Sequence, residues 1–297
     1  MKTKAKSTFL LFLTAIIWGF AFVAQRVGAE FVGAFTFNGI RFLLGSLSLI
    51  PVILVFEREK NIKSKFINTL MPSVLAGAVL FIASTLQQLG VEWTGSAGKA
   101  GFLTGLYIVL VPIIRFFMGK KTSIFTFFGA IFALVGLFFL CMTGNELSFG
   151  KGDIVLIIGA LFWAAHILIV DKYVNNISPL KFSMMQFLVC GLLSIICAIC
   201  TETIEFSAIK SAGIPILYGG LMSVGVAYTC QILGQKDADP TFASIVFSTE
   251  SVFSAIGGAI ILNEIMSGRG YIGCILIFIG IVLSQLNPDL FNKKSKL

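Results

Sequence analysis

Residues 245–264 read IVFSTESVFSAIGGAIILNE, an apolar run that carries one carboxylate, Glu250, well inside it. A helix from Pro240 to Asn263 is long enough to cross a hydrocarbon core about 30 Å thick, and at about 1.5 Å per residue Glu250 lies some 15 Å along it. That depth is near the bilayer midplane. An ionisable side chain costs at least about 2.5–3.5 kcal/mol to insert there, so it is expected to face a polar cavity or a partner rather than lipid. The rest of the chain is read as a bundle built around such a cavity.

The composition agrees with a membrane assignment. Of 297 residues, 57% are hydrophobic and 12% charged, and the mean hydropathy is +0.96, far too apolar for a soluble domain of this length. The net charge of +8 comes from short basic clusters between apolar stretches, not from one basic face. They read as topology signals, and nucleic-acid binding is set aside. The six cysteines, Cys141, Cys190, Cys197, Cys200, Cys230 and Cys274, fall inside or at the ends of apolar stretches, where they act as small hydrophobes. Cys197-Ala-Ile-Cys200 has a redox spacing but neither a flanking soluble fold nor further ligands at metal spacing.

Lys2, Lys4 and Lys6 precede an apolar run from Phe9, as in a secretory signal. The run continues to about Gly28 without a clean A-x-A site, so it is read as the first spanning helix. Spanning stretches recur at about 7–28, 34–56, 69–91, 97–118, 124–142, 153–172, 180–200, 212–234, 240–262 and 270–287. The fold class is therefore an all-α integral membrane protein of ten transmembrane helices. Pro51, Pro72, Pro179, Pro215, Pro240 and Pro288 fall at or near predicted ends, whereas Pro112 lies inside the fourth helix and is expected to kink it. With the N-terminus cytoplasmic, loop Lys and Arg number fifteen inside against five outside, Arg41 and Arg115 being left out as intramembrane. Both termini are then cytoplasmic.

The two halves align at an offset of about 144–145 residues. Trp18 falls on Trp163, Arg41 on Gln186, Gln87 on Gln231, Gly90 on Gly234, Lys120 on Glu264, Gly129 on Gly273 and Gly136 on Gly280. Residues 1–146 and 147–297 are read as two repeats of five helices. Five is odd, so the second repeat must enter the membrane in the opposite sense. Inverted repeats are a recurrent way to build secondary transporters, because two similar halves can exchange conformations around a shared midplane site.

Three stretches carry a family resemblance: Trp18-Gly19-Phe20; Gly105-Leu106-Tyr107 through Val111-Pro112 to Gly119-Lys120-Lys121; and Ser248-Thr249-Glu250-Ser251-Val252-Phe253 through to Asn263-Glu264. Together with the duplicated ten-helix plan they resemble the EamA family of the drug/metabolite transporter superfamily, over essentially the whole chain. The resemblance implies a basket-like bundle with a central cavity lined mainly by helices 1, 3, 4, 6, 8 and 9, with helices 5 and 10 peripheral. It also implies export of amino acids or other small metabolites, or uptake of vitamins or sugars. Ser251 departs from the pattern, since relatives often place proline after the glutamate, which puts a kink in helix 9 in question.

Glu250 can take a proton or pair with a cationic substrate group, or serve structurally as a partner of Arg41 or in a helix-bundle hydrogen bond. Arg41 can clamp a carboxylate bidentately, or form an interhelical pair or snorkel. Gln87 and Gln231 offer a symmetry-related pair of amides, with Tyr228 and Gln235 on the face of Gln231, or polar helix packing. Trp18 and Trp163 can wall in a substrate or simply fill space. His166, the single histidine, is placed for proton relay or as a satisfied polar residue, and Tyr107 for a cavity hydroxyl. The small-residue run 255–259, and Gly129 with Gly136, are assigned to helix packing. No metal site or cofactor is expected, and no phosphate-binding G-x-x-x-x-G-K-[ST] loop is present.

The expected function is a secondary transporter exporting a small polar metabolite, such as an amino acid, across the cytoplasmic membrane. Its partners are that small-molecule substrate and the lipid bilayer, with proton coupling through Glu250 and a homo-oligomer left open. Import of a vitamin or sugar is the alternative. An intramembrane lipid enzyme lacks convergent acids and histidines, and a non-transporting scaffold leaves the paired polar positions unexplained.

Overall fold

A computed structural model describes residues 2–56, 62–95, 97–120, 123–141, 150–263 and 268–284. The expected boundary at 146/147, Glu264, Pro288 and the basic residues Arg58, Lys60, Lys121, Lys293, Lys294 and Lys296 lie outside the described residues.

The described chain is helical: α1 (Lys2–Gly28), α2 (Ala34–Phe56), α3 (Ile62–Thr94), α4 (Ala97–Gly105), α5 (Tyr107–Phe117), α6 (Ile124–Cys141), α7 (Lys151–Tyr173), α8 (Pro179–Thr201), α9 (Phe206–Ser211), α10 (Gly213–Leu217), a π-helix (Tyr218–Tyr228), α11 (Thr229–Gln235), α12 (Pro240–Phe247), α13 (Glu250–Ile261) and α14 (Gly268–Ser284). Grouped by continuity, these make eight apolar spans of 18 residues or more, with Ile124–Phe139 and Gly268–Ser284 as two shorter ones. That is the ten-helix transmembrane plan. Large apolar side chains such as Leu54, Phe116, Ile199 and Ile275 point outward, while serines, threonines, amides, Arg41 and Glu250 are buried. A soluble protein sorts its residues the other way.

Local chemistry sets the ends and the breaks. Pro179 and Pro240 stand at first helical positions, and the Asp239 carboxylate caps α12 by accepting from Thr241 N at 2.9 Å and Phe242 N at 3.4 Å. Pro51 lies in the last turns of α2, which ends at Phe56 as expected, whereas Pro72 is well inside α3 because that helix begins earlier, at Ile62.

The fourth span is interrupted at Leu106, not at Pro112, which lies inside α5. The glycines Gly101 and Gly105 weaken the helix just before that point. There Leu106 N reaches Leu103 O and Val109 N reaches Leu106 O, a tighter i→i−3 pattern. The ninth span breaks in the same way without a proline. Ser248 and Thr249 turn their hydroxyls back onto Ile245 O and Val246 O, both at 2.7 Å, which competes with the regular backbone ladder. Thr249 N and Ser251 N consequently bond at i−3. The two breaks correspond: α4 and α12 start 143 residues apart, and so do α5 and α13.

The eighth span holds a further departure from the expected regular helix. Its π-helical middle leaves carbonyls that neighbours use: Thr14 Oγ1 donates to Ala227 O at 3.0 Å and Trp18 Nε1 to Ser223 O at 3.3 Å. The π-turn thus fastens this span to α1 at the level of the cavity.

Helices α6 and α14 pack backbone to backbone. A Cβ at Gly129 would lie 2.5 Å from Gly280 O, and one at Gly136 2.6 Å from Gly273 O. Residue numbers rise along one helix as they fall along the other, so the pair is antiparallel. Shifting Gly129 and Gly136 by 144 gives Gly273 and Gly280, so each contact maps onto the other. Gly280→Val should therefore overpack this seam at a cost of about 1–3 kcal/mol, seen as a lower melting temperature of the detergent-purified protein. Gly213→Ala, with nothing within 4 Å of the added carbon, should leave it unchanged.

Candidate functional site

Glu250 is the first residue of α13 and Tyr107 the first residue of α5, so each stands where its span restarts. The Tyr107 hydroxyl donates to Glu250 Oε1 at 2.9 Å, and both side chains are buried. Gly19 lets α1 reach this point, since a Cβ there would lie 2.3 Å from Phe253 Cβ and 2.7 Å from Glu250 O. Beside it, Ser251 Oγ donates to Gly101 O at 2.9 Å. The serine that departs from the proline pattern thus ties the ninth span to the fourth, and the helix is interrupted there all the same.

These residues bound a small central cavity of about 30 Å³. Eight of the nine site residues singled out in the sequence line it: Glu250, Arg41, Gln87, Gln231, Trp18, Trp163, Tyr107 and Tyr228. The aromatic side is continuous. The Trp18 ring lies 4.7 Å from that of Tyr228, 5.4 Å from Phe247 and 6.3 Å from Trp163, so a solute must part or stack against these rings.

Arg41 faces the cavity and not lipid. Its Nε donates to Asn38 Oδ1 at 3.0 Å, and the guanidinium lies over the rings of Phe37 and Phe42 at 5.3 and 5.0 Å. Among the described residues it has no carboxylate at ion-pair distance, so the Arg41–Glu250 pairing considered from sequence is not made. Arg41 also brings the second span into a cavity that the resemblance assigns mainly to others.

The amides are arranged unequally. Gln87 Nε2 donates to Gln25 Oε1 at 3.1 Å, whereas Gln231 Oε1 has no partner among the described residues. Two more lining residues share that condition, through Thr104 Oγ1 and Trp163 Nε1. Buried polar atoms are seldom left unpaired, so three at one cavity give a polar solute or water points of attachment.

His166 is the residue that does not line the cavity. It sits behind the aromatic wall, its ring edge-on to Trp163 and Tyr228 at 6.1 Å each, with Nε2 against Gln186 Oε1 at 2.9 Å. Gln235, on the face of Gln231, also turns away and donates to Ile167 O at 3.1 Å. Sequence reading passed over Gln25, Phe22, Ser223 and Phe247, all of which line the cavity. For Gln25 and Phe22 the signal was present in their helical spacing from Trp18, which puts them on its face. For Ser223 there was none, because nothing in the sequence marked the π-turn.

The EamA-like transporter family matches residues 5–142 and 150–286, nearly the whole chain in two consecutive copies. The chain belongs to this family. An EamA-family protein is a membrane transporter of the drug/metabolite type and not an enzyme. Relatives carry similar descriptions. A protein of Archaeoglobus fulgidus, described as an uncharacterized transporter, is 27% identical over 93% of this chain and 84% of its own length. The uncharacterized inner membrane transporter YedA of Escherichia coli is 22% identical over 96% of this chain and 92% of its own. A solved crystal structure superposes with a TM-score of 0.78 over 99% of both chains at 17% identity, a likeness of fold.

Tyr107→Phe keeps the ring and removes the one hydrogen bond the Glu250 side chain accepts among the described residues. A bond to a charged group is worth about 1.5–3 kcal/mol, so transport should fall about tenfold or more while the purified protein stays monodisperse. Wild-type transport by this variant would remove the pair from the site.

Proposed function

We propose that this EamA-family protein is a secondary transporter that exports a small polar metabolite, such as an amino acid or related compound, across the cytoplasmic membrane by alternating access. One observation carries this reading. Glu250 and Arg41 face the same cavity with opposite charge and without pairing to each other, an arrangement suited to the ammonium and carboxylate of a zwitterion. The aromatic wall of Trp18, Trp163, Tyr228 and Phe247 would receive the substrate's apolar part, and Gln87, Gln231 and Thr104 its remaining polar atoms.

The proposal includes inverted repeats divided near residue 146, with both termini cytoplasmic. The reciprocal contacts of Gly129 with Gly280 and Gly136 with Gly273, the matched breaks of the fourth and ninth spans and the fifteen-to-five distribution of loop cations support it. The inner-membrane description of YedA supports the cytoplasmic membrane as the location. Proton coupling is assigned to Glu250, the buried carboxylate at the centre of the site. The unpaired amide and indole atoms also suit an uncharged polyol, which keeps import of a vitamin or sugar as the second reading.

The test compares metabolites inside and outside cells that carry wild-type protein, Glu250→Gln or empty vector. A compound enriched outside only with wild type is the expected result, and enrichment inside would favour the import reading. Where transport by wild type depends on pH, Glu250→Gln should insert normally and abolish that dependence. An unchanged pH profile would refute the proton role.

A further inference from the structure

At one end of the cavity the fourth and ninth spans are joined by a second tie. Arg115 Nη2 lies 2.8 Å from Asp239 Oδ2, linking the last turn of α5 to the N-cap of α12. Arg115 is the more buried partner, its side chain 13% exposed against 49% for Asp239. Along α5, Arg115 is eight residues from Tyr107, and along α12 Asp239 is eight from Phe247, so the pair lies about 12 Å beyond the cavity on both helices. Tyr107, Val111 and Arg115 follow at four-residue spacing, one face of α5, and Val111 between them is fully buried. Val111 is thus packed between the cavity and the ion pair.

Among the described residues no second ion pair joins these two spans. Under the 143-residue correspondence of these two spans, Arg115 falls on Gly258 and Asp239 on Ser96, neither of which carries charge. The sequence therefore supplies no equivalent pair of opposite charges at the corresponding positions. We propose that Arg115 and Asp239 form a one-sided latch that holds the passage shut at their end and biases the resting protein toward opening at the other. The proposal rests on the alternating-access reading and adds which face is closed at rest and by which residues.

The exposure of Asp239 fits this role. An ion pair with one partner half-exposed to solvent shifts an equilibrium by about fivefold, enough to set a preference and weak enough to break in every cycle. Two more charged groups are close by: Asp171, at the end of α7, interacts electrostatically with Arg115 and Asp239, and Lys120, just beyond α5, interacts with Asp171. Asp171 offers Arg115 an alternative partner when α5 and α12 separate.

The test places a reporter in the closed passage, Val111→Cys, and measures its labelling by a membrane-impermeant maleimide from each face of the membrane. Site-resolved mass spectrometry keeps the native cysteines out of the signal. Asp239→Asn removes the charge and keeps a residue that caps helices as well as aspartate does, and Arg115→Gln removes the partner. In both backgrounds labelling from the Arg115 face should rise about two- to fivefold while labelling from the opposite face falls, and Arg115→Lys should restore the parental pattern. Unchanged labelling from both faces would overturn the latch. A rise from both faces would also overturn it, showing a merely structural tie. Transport by the reporter protein, measured in parallel, judges the alternating-access reading separately, since a failure there leaves the labelling comparison standing.

Discussion

A carboxylate buried within an apolar helix bundle needs a donor and a cavity, and the arrangement of this protein follows from supplying Glu250 with both. The donor is the Tyr107 hydroxyl at 2.9 Å. For it to arrive, two spans must bring their interrupted middles together. The interruptions are produced by ordinary means: glycines before Leu106 in one span, and Ser248 and Thr249 hydroxyls competing for backbone carbonyls in the other. Gly19 then admits the first span against the Glu250 carbonyl, which brings Trp18 to the cavity wall.

Tyr107 and Glu250 occupy matching positions in the two copies, so the site is built from one position used twice and differentiated by side chain, a donor from the first copy and an acceptor from the second. The same logic separates Arg41 from Gln186. In the first copy the position presents a guanidinium to the cavity, and in the second an amide held by His166 behind the aromatic wall. Duplication supplies the frame, and substitution within it makes the site chemically lopsided. The charged tie between Arg115 and Asp239, whose counterparts are Gly258 and Ser96, extends that lopsidedness to the ends of the bundle.

Much of this was legible in the chain because lipid imposes simple rules. Apolar run length fixed the spans to within a few residues, except where α1 and α3 begin earlier than the apolar run requires, at Lys2 and Ile62. Charged residues inside apolar spans are few and costly, which is why Glu250 and Arg41 could be singled out, and both line the cavity. What the chain concealed has physical causes as well. Pro112 looked like the kink, but glycine and a local change of hydrogen-bond pattern moved the break to Leu106. The π-turn at Tyr218–Tyr228 draws on donors from α1, over 200 positions away, so no local pattern announces it. His166 was a reasonable cavity candidate until Gln186, from the next helix, claimed its Nε2.

The central claim is that the Tyr107–Glu250 junction anchors a binding site for a small polar solute, and ligand-induced stabilisation tests it most directly. Binding to the folded state alone raises stability by about 2.7 kcal/mol at a hundredfold excess over Kd. The measurement is the melting temperature of purified wild-type protein and of Glu250→Gln across a panel of amino acids, polyols and vitamins. The account predicts a class of compounds that raises the wild-type value and leaves the variant's unmoved. Equal stabilisation of both proteins by the same compounds would contradict it, because the solute would then bind without the carboxylate around which the site is built.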